Sequence, residues 1–451
     1  MLEHYLDIIH QVSHIFVEAL VEREVLLDQR LPQLDSFIRS LVRETARKTV
    51  ESTYLHFSKQ SVEQAKQPGM TIHRNPEINL QTIYGPVTLR SPYLYDRKKG
   101  CSLRPVQDQL HLVAEQKSLA LQRALTDFGA ERSFARAATQ FEEHYGWSIG
   151  ASSVRSVTLE YAKKCEGFVE KKLNHAEDEY DQSLADRPGV DELLVELDGC
   201  NIPTVTLRPV SSMETSEKRK LPKRKRCCEW KEVRVGLVRR MEEVNKLYVA
   251  RMDIYPEVTR QMFQIAVIKG LSSQTQIVGV GDGGIGLKEG LEESFPGMQF
   301  ILDKPHLMEH FHEGAEALEL EGINKEKWVQ KQEQKLSSGD VDEVLTDLLG
   351  KACESGKKRI RSLYEYVDRF KDSVHYSAYK EKGWPIGSGE VESSHRYIPQ
   401  ERLKIAGAWW LPEHINPMLG LRVVRANDWW EEFWQKQEEQ AWPVPGLGAY
   451  Q

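Results

Sequence analysis

The amino-acid sequence predicts a mixed α/β domain built on a five-stranded sheet, preceded by helical and small β regions and interrupted by a helical insertion. Three observations predict it. Five apolar runs, at 192–198, 231–239, 246–252, 276–280 and 298–302, are short, rich in Val, Ile and Leu, and bounded by turn residues, as strands are. Their connections are uneven: the first three follow one another without a helix, whereas helical runs precede and separate the last two. Outside this stretch the apolar spacing is mostly helical, which confines the large sheet to one part of the chain. At 451 residues the chain has room for about two to four domains with real cores, at ~100–200 residues each.

Residues 1–66 form an N-terminal helical region. Leu20, Val21, Val25 and Leu26, then Phe37, Leu41 and Val42, recur at helical spacing and predict two or three helices. Residues 67–110 change texture: 70–74, 78–83 and 86–90 are short alternating runs with a turn at Tyr84-Gly85-Pro86, which predicts a small antiparallel sheet. Residues 111–185 return to helices at 119–128, 133–144 and 151–168, broken at Gly129 and at Gly146-Trp147-Ser148. That texture fits a helix-turn-helix unit. Ser152, Ser153, Arg155 and Ser156 stand at the start of its last helix, placed to cap it or to donate to phosphates or bases, with an ordinary helical hairpin as an equal alternative.

Residues 186–308 hold the five strands, with Pro256 at the start of their helix, where helix entry favours proline. Three meandering strands, a helix, then two strands joined by a short helix is the order of an RNase H-like sheet; a doubly wound fold would alternate uniformly. Residues 309–380 are helical, rich in Glu, Lys and Gln, and read as an insertion. Residues 381–440 supply the C-terminal helices of the core, broken near Pro399 and Pro412, and 441–451 are a Pro/Gly-rich tail.

Composition excludes several classes. Charged residues at 29% together with ten Trp and sixteen Tyr exclude a disordered acidic polymer. No stretch approaches the 18 or so consecutive apolar residues of a membrane span, and Glu3, His4 and Asp7 occupy the place of a signal peptide's basic and apolar segments. Cys101, Cys165, Cys200, Cys227, Cys228 and Cys353 show no C-x-x-C pair, so neither a zinc ribbon nor a disulfide framework is expected, and a reducing cytoplasm fits.

Three acids fall where elements of one sheet would bring them together. Asp198 ends the first strand before Gly199, Asp282 follows the fourth between Gly281 and Gly283, and Glu392 lies just after Gly387-Ser388-Gly389, in the first turns of a helix. Carboxylates at neighbouring strand ends with one from a packing helix form an oxygen-rich cage for Mg²⁺, and a pair of such ions serves phosphoryl transfer. Asp303 and His306, after the fifth strand, are supporting candidates. Glu196 shares a strand face with Asp198 and is expected to pair with a basic neighbour; Glu390 and Glu392 lie ~200° apart around a helix and cannot both face one site. A competing motif overlaps: Gly281, Gly283 and Gly286 spell G-x-G-x-x-G after a strand, with Asp303 about 20 residues on, as in a dinucleotide fingerprint. Lys218, Arg219, Lys220, Lys223, Arg224, Lys225 and Arg226 put seven cations in nine positions, in a predicted loop suited to a phosphate backbone or simply to solvent. Seven of the ten Trp lie between Trp384 and Trp442 and are expected mostly in the core.

Together these residues resemble the bacterial insertion-sequence transposases of the ISKra group, which carry an RNase H-like DDE catalytic domain. The resemblance rests on Asp198-Gly199, Gly281-Asp282-Gly283, Asp303-Lys-Pro-His306 and above all Gly383-Trp-Pro-Ile-Gly-Ser-Gly-Glu-Val-Glu392. It continues through Arg402-Leu-Lys404 to Trp409-Trp410, Leu421-Arg422 and Trp429 to Trp434, and spans roughly residues 70–435. It implies that Asp198, Asp282 and Glu392 are a catalytic triad holding two Mg²⁺, with Mn²⁺ as a substitute, that the region before residue 190 recognises DNA ends, and that Arg402 and Lys404 stand among the DNA contacts. The implied activity is cleavage at insertion-sequence ends and strand transfer into target DNA. The implied partners are double-stranded DNA and a second copy of the chain, in a bacterial cytoplasm at the nucleoid. Two other classes remain: a catalytically silent DNA-binding derivative, and a dinucleotide enzyme built on Gly281, Gly283 and Gly286.

Against this stands a net charge of -7, from 61 basic and 68 acidic residues, since phosphate binding relies on Lys and Arg. Residues 309–347 alone hold 11 acidic and 4 basic residues, the whole of that surplus. The insertion is therefore expected to face away from DNA, or to screen the site until DNA ends are bound.

Overall fold

The structure, a computed structural model, describes residues 6–22, 34–110, 116–182, 189–209, 224–355 and 357–441. Backbone contacts divide the chain into two units, Met1–Leu125 with Ala135–Ala151, and Thr126–Phe134 with Ser152–Gln451.

In the first unit the N-terminal apolar spacing forms α1 (Leu6–Glu22) and α2 (Leu34–Ala65), followed by β1 (Met70–Arg74), β2 (Glu77–Thr82), β3 (Gly85–Arg90), β4 (Tyr93–Asp96), β5 (Cys101–Leu103) and α3 (Pro105–Leu110). The small antiparallel sheet is in fact two: a β2–β3 hairpin and a three-stranded sheet in the order β1-β4-β5. Burial alternates along β3, so Val87 and Leu89 meet Ile78, Leu80 and Val106 in a core closed by Tyr54, Leu55 and Leu110. Next come α4 (Leu119–Glu131) and α5 (Phe134–Tyr145). The turn after α5 is pinned by Trp147, whose indole N–H donates to Ile83 O at 3.0 Å.

Helix α6 (Ala151–Gln182) is 32 residues long, where the sequence predicts a short helix ending at 168. Its buried residues Val154, Tyr161, Cys165, Val169, Leu173 and Ala176 hold the helical spacing beyond that point. Such a stripe makes a core helix of the second unit, about 48 Å long at ~1.5 Å per residue.

The second unit continues with β6 (Glu192–Pro209), β7 (Arg224–Arg240), β8 (Lys246–Arg251), α7 (Tyr255–Lys269), β9 (Gln276–Gly281), α8 (Leu287–Ser294) and β10 (Gln299–Leu302). They form one mixed sheet in the order β10-β9-β6-β7-β8. β6, β7 and β8 are antiparallel neighbours, whereas β9 runs parallel to β6 and β10 parallel to β9. This is the meander-then-crossover order that the sequence predicts, compatible with an RNase H-like sheet. β6 and β7 run well beyond their predicted ends, paired without a break from Leu193↔Arg240 to Pro209↔Arg224. Arg224, Lys225 and Arg226 therefore lie on a strand and not in a loop; Lys218, Arg219, Lys220 and Lys223 lie outside the described residues. Pro203 lies inside this ribbon, opposite Trp230, and its carbonyl accepts Trp410 N–H at 3.1 Å. The free edge of β8 is blocked by Asn427, which accepts from Tyr248 N–H at 2.8 Å and donates to Tyr248 O at 3.0 Å, as a partner strand would.

After β10 come α9 (Lys304–Ala317), α10 (Gly322–Ser338), α11 (Val341–Ser355), α12 (Lys358–Arg369), α13 (Tyr376–Glu381) and α14 (Gly389–His395). A π-helical turn, Arg396–Gln400, contains Pro399, and α15 (Glu401–Leu403), α16 (Ile415–Ala426) and α17 (Trp430–Ala441) complete the described chain. The acidic helices satisfy part of their charge internally, with Lys325–Glu316 at 2.7 Å, Lys335–Asp347 at 2.8 Å and Lys357–Glu319 at 2.7 Å. Trp434 is fully buried and stacks on Tyr161, as expected of a core residue. No helix among the described residues is long and apolar enough to cross a membrane.

α16 meets α6 at Gly420, where an added Cβ would lie 2.8 Å from Glu166 Cα and 2.9 Å from Glu166 N. Backbone cannot give way as a flexible side chain can. Gly420→Ala is expected to destabilise the protein by ~1–3 kcal/mol, seen as a lower urea midpoint; an unchanged midpoint would show that the two helices separate freely.

Candidate functional site

Strand register brings three carboxylates to the place where the parallel ladders end, although Asp198 does not end its strand as the sequence predicts: it lies within β6, paired with Val235 of β7. The β6–β9 ladder ends at Glu196↔Val280 and the β9–β10 ladder at Gly281↔Leu302. Two residues past the first pair come Asp198 and Asp282; one residue past the second come Asp282 and Asp303. Asp303 N–H continues the pairing by donating to Gly281 O at 2.8 Å.

Asp303 is buried and has both carboxylate oxygens engaged. One accepts from His306 N–H at 2.8 Å, capping α9; the other accepts from the N–H and the hydroxyl of Ser388, both at 2.6 Å. A single carboxylate thus ties the start of α9 to the start of α14. Burial alone would raise its pKa, but His306 and the Ser388 donors hold it down at about 2.

Glu196 provides a second tie. Its Oε2 accepts from Val391 N–H at 2.8 Å, within the first turn of α14. The sequence pairs Glu196 with a basic neighbour, and the structure corrects this: Glu196 is fully buried, and its neighbours Arg239 and Lys246 instead bind Glu390 at 2.9 and 2.7 Å. Burial pushes the Glu196 carboxyl up to about 8, against the Val391 hydrogen bond. Because this lies above the ordinary 4.5, the associated stability is full below that value and is lost as pH rises through about 8. Glu196→Gln keeps an acceptor for Val391 and has no charge to bury. Its melting temperature is expected to exceed wild type by a margin near zero at acidic pH and widening towards alkaline pH; a margin independent of pH would contradict the protonated, buried carboxyl.

Held at Ser388 and Val391, α14 turns Glu390 towards Arg239 and Glu392 towards His306, the divergence that helical spacing predicts. His306 Nδ1 lies 3.3 Å from Asp303 Oδ1 and 3.8 Å from Glu392 Oε1. Asp303 beside it, aided by Asp282 and Glu392, raises its pKa to about 9, so His306 is a cation at neutral pH. Ligand atoms of Asp303, His306 and Glu392 lie within 4.8 Å of one another. Asp198 is pushed up to about 6 by burial and by Asp282, although Gly199 N–H donates to it at 2.7 Å. His395 Nδ1 stands 3.5 Å from Asp198 Oδ2, and burial lowers its pKa. His395, Ser388 and Tyr366 were not singled out in the sequence. His395 follows Glu392 by one helical turn, which was the available signal.

The Asp282 loop is fixed from two sides. Asp282 Oδ1 accepts from Gly284 N–H at 2.8 Å, and the Tyr366 hydroxyl of α12 donates to Asp282 O. Gly283 has φ +75°, and a Cβ there would meet Phe370 and the Tyr366 hydroxyl at 2.8 Å, so only glycine fits. Asp303, the would-be ribose ligand, is committed to Ser388 and His306. The dinucleotide reading thereby loses the acidic part of its fingerprint. The predicted insertion also reaches the site, because its helix α12 carries Tyr366 to the Asp282 carbonyl.

Among the candidate DNA contacts, Arg155, Lys225, Arg226 and Lys404 are exposed and Ser153 is half-buried. Arg402 is a correction. It is 2% exposed, its Nε donates to Gly129 O at 2.8 Å, and its guanidinium sits 4.5 Å from the Phe134 ring and 4.7 Å from that of Trp410. A side chain so enclosed does not reach a duplex backbone.

No family model matches the chain, and no curated protein matches it in sequence. Among solved structures it is similar to the Drosophila P element transposase strand transfer complex, at 12% identity over 74% of this chain and 83% of that chain, with a TM-score of 0.23. A likeness that weak defines neither fold nor function.

Proposed function

We propose that the protein is a DDE-type DNA transposase with an RNase H-like catalytic domain, as its resemblance to the ISKra group implies. What supports this reading best is that Asp198 and Asp282, borne on adjacent parallel strands, act on each other electrostatically, and that both Asp282 and Glu392 act on His306, which stands 3.8 Å from Glu392, itself on a helix held at its start by Asp303 and Glu196. The donor set fits a hard divalent cation: the acids supply only oxygen, and among the described residues none of the three has an ion pair with Lys or Arg. Asp198, Asp282 and Glu392 would hold Mg²⁺, or Mn²⁺ in its place. Bound there, the ions would supply a Lewis acid for the attacking and leaving oxygens of a phosphodiester.

The remaining work falls to the chain's own residues. Asp303 and Glu196 orient α14, Tyr366 fixes the Asp282 carbonyl, and protonated His306 offers positive charge to a phosphate at the edge of the site. In hydrolysis, water attacks phosphorus and the 3′ oxygen leaves as a hydroxyl. In transfer, that hydroxyl attacks a target phosphodiester, and the displaced target 3′ oxygen takes up the proton. In-line displacement relies on positioning and charge, so no covalent protein–DNA bond is needed. Joining two element ends would call for at least two copies of the chain.

The test is incubation with a labelled duplex of the sequence flanking the gene, a supercoiled plasmid and Mg²⁺. Covalent transfer of label to the plasmid is expected. Retention of the duplex without cleavage or transfer would identify a catalytically silent DNA-binding derivative instead.

A further inference from the structure

A cavity of ≈ 370 Å³ opens in the second unit, between the segment after α15, helix α6 and Arg226 of β7. It falls in the ~300–1,000 Å³ range of ligand sites. Trp410 pairs with Thr204 on β6, six positions along the strand from Asp198, or ~20 Å at ~3.3 Å per residue. The cavity is therefore separate from the carboxylate cluster but lies on the same strand.

Its lining is one-sided in charge. Arg155, Arg226, Arg402 and His414 all contribute, and among the described residues no Asp or Glu does. Arg155 and Arg226 are exposed, and Arg155 Nη2 lies 3.5 Å from His414 Nε2, a contact between two nitrogens that adds no negative charge. Phe134, Trp409 and Trp410 supply aromatic surface, of which Trp409 remains 37% exposed. Two buried donors on lining residues, Arg402 Nη2 and Trp410 Nε1, have no hydrogen-bond partner among the described residues. Buried donors without acceptors are costly, and these belong to residues that are 2% and 6% exposed. The site offers donors and positive charge beside flat rings. Its chemical complement is an anion attached to an aromatic system.

We infer that this cavity binds one unpaired nucleotide of a DNA strand, its phosphate held by Arg155 and Arg226 and its base against Trp409. This rests on the proposed DNA chemistry and adds a subsite to it. A duplex would lie across a ridge or groove and keep its bases stacked, whereas a pocket of this size with ring walls admits a base that has left the stack.

The experiment uses the full chain in EDTA, so that no cleavage is required, and follows Trp fluorescence and anisotropy on titration with a short single-stranded oligonucleotide, its duplex, a nucleoside monophosphate and inorganic phosphate. The single strand is expected to quench Trp fluorescence and to bind more tightly than the duplex, with the monophosphate competing more strongly than phosphate alone. Arg155→Ala and Arg226→Ala should each weaken single-strand binding about tenfold and lower the slope of log K against log salt by ~0.7, one phosphate contact on a single strand. Trp409→Phe should keep most of the affinity while removing most of the quenching, which separates loss of contact from loss of fold. Equal affinity in wild type and both arginine variants, or binding of phosphate with no preference for the nucleotide, would overturn the inference. Failure of metal-dependent transfer with this binding intact would instead count against the catalytic reading alone.

Discussion

Asp198→Asn is expected to abolish metal-dependent strand transfer and, at the same pH, to raise the melting temperature. The activity loss should be at least roughly a thousandfold, because several kcal/mol of charge stabilisation disappear at ~1.36 kcal/mol per tenfold. The gain in stability has a separate origin. Burial and the Asp282 charge push the Asp198 carboxyl up to about 6, so stability is full below its ordinary 3.8 and is lost as pH rises through about 6. The amide carries no charge to desolvate, and it can still accept from Gly199 N–H. At neutral pH the variant should therefore melt higher than wild type in a chelating buffer, and at pH below 4 the difference should vanish. A variant that keeps its transfer rate would remove Asp198 from the catalytic set. One that melts lower at neutral pH would show that the carboxylate is not strained by its surroundings. Trading stability for a charged cluster is what a functional site does.

Asp303→Ala is expected to have the largest effect on stability. The residue caps α9 through His306 N–H and anchors α14 through both donors of Ser388. Removing a buried carboxylate with these partners leaves several donors unpaired, a loss of about 2–5 kcal/mol, read by urea denaturation. Transfer should fall with it, because α14 carries Glu392. Asp303→Asn keeps one of the two acceptor oxygens and sets an amide N–H2 against the donors on the other side, so it is expected to lie between the two. A folded Asp303→Ala protein as stable as wild type but inactive would contradict a positioning role and would make Asp303 a direct metal ligand.

How far the sequence revealed this arrangement differs by region. Strand order was legible because connection lengths differ so plainly between the meander and the crossovers. The placement of Asp282 was legible because Gly281 and Gly283 mark the end of β9, whereas Gly199 suggested a strand end at Asp198 that β6 does not have. Glu392 and Glu390 could be assigned to opposite sides from helix geometry alone. The lengths of β6 and β7 were hidden by Gly199, Pro203 and a basic run that looks like loop, since pairing between two distant segments has no local signature. α6 was underestimated because the charged residues after Phe168 mask a stripe whose apolar members still recur every three or four positions. Arg402 read as a surface cation because charge is the only property that one sequence displays. Its enclosure by Phe134, Trp410 and Gly129 depends on chain segments about 270 residues apart. The roles of Glu196 and Asp303 as ties on α14 were likewise invisible, because the first depends on the Val391 backbone N–H and the second on the backbone and hydroxyl of a serine 85 residues away.

The central claim is that Asp198, Asp282 and Glu392 form a divalent-cation site. It is tested most directly by thermal denaturation of the metal-free protein against rising Mg²⁺ or Mn²⁺ at constant ionic strength. A ligand that binds only the folded state stabilises it by about 2.7 kcal/mol at a hundredfold excess over its dissociation constant. A saturable rise in melting temperature is predicted for wild type, lost in Asp282→Asn and Glu392→Gln but retained in Gly420→Ala, whose substitution acts at the contact of α16 with Glu166. The same rise in all variants, or none in wild type, would contradict the account.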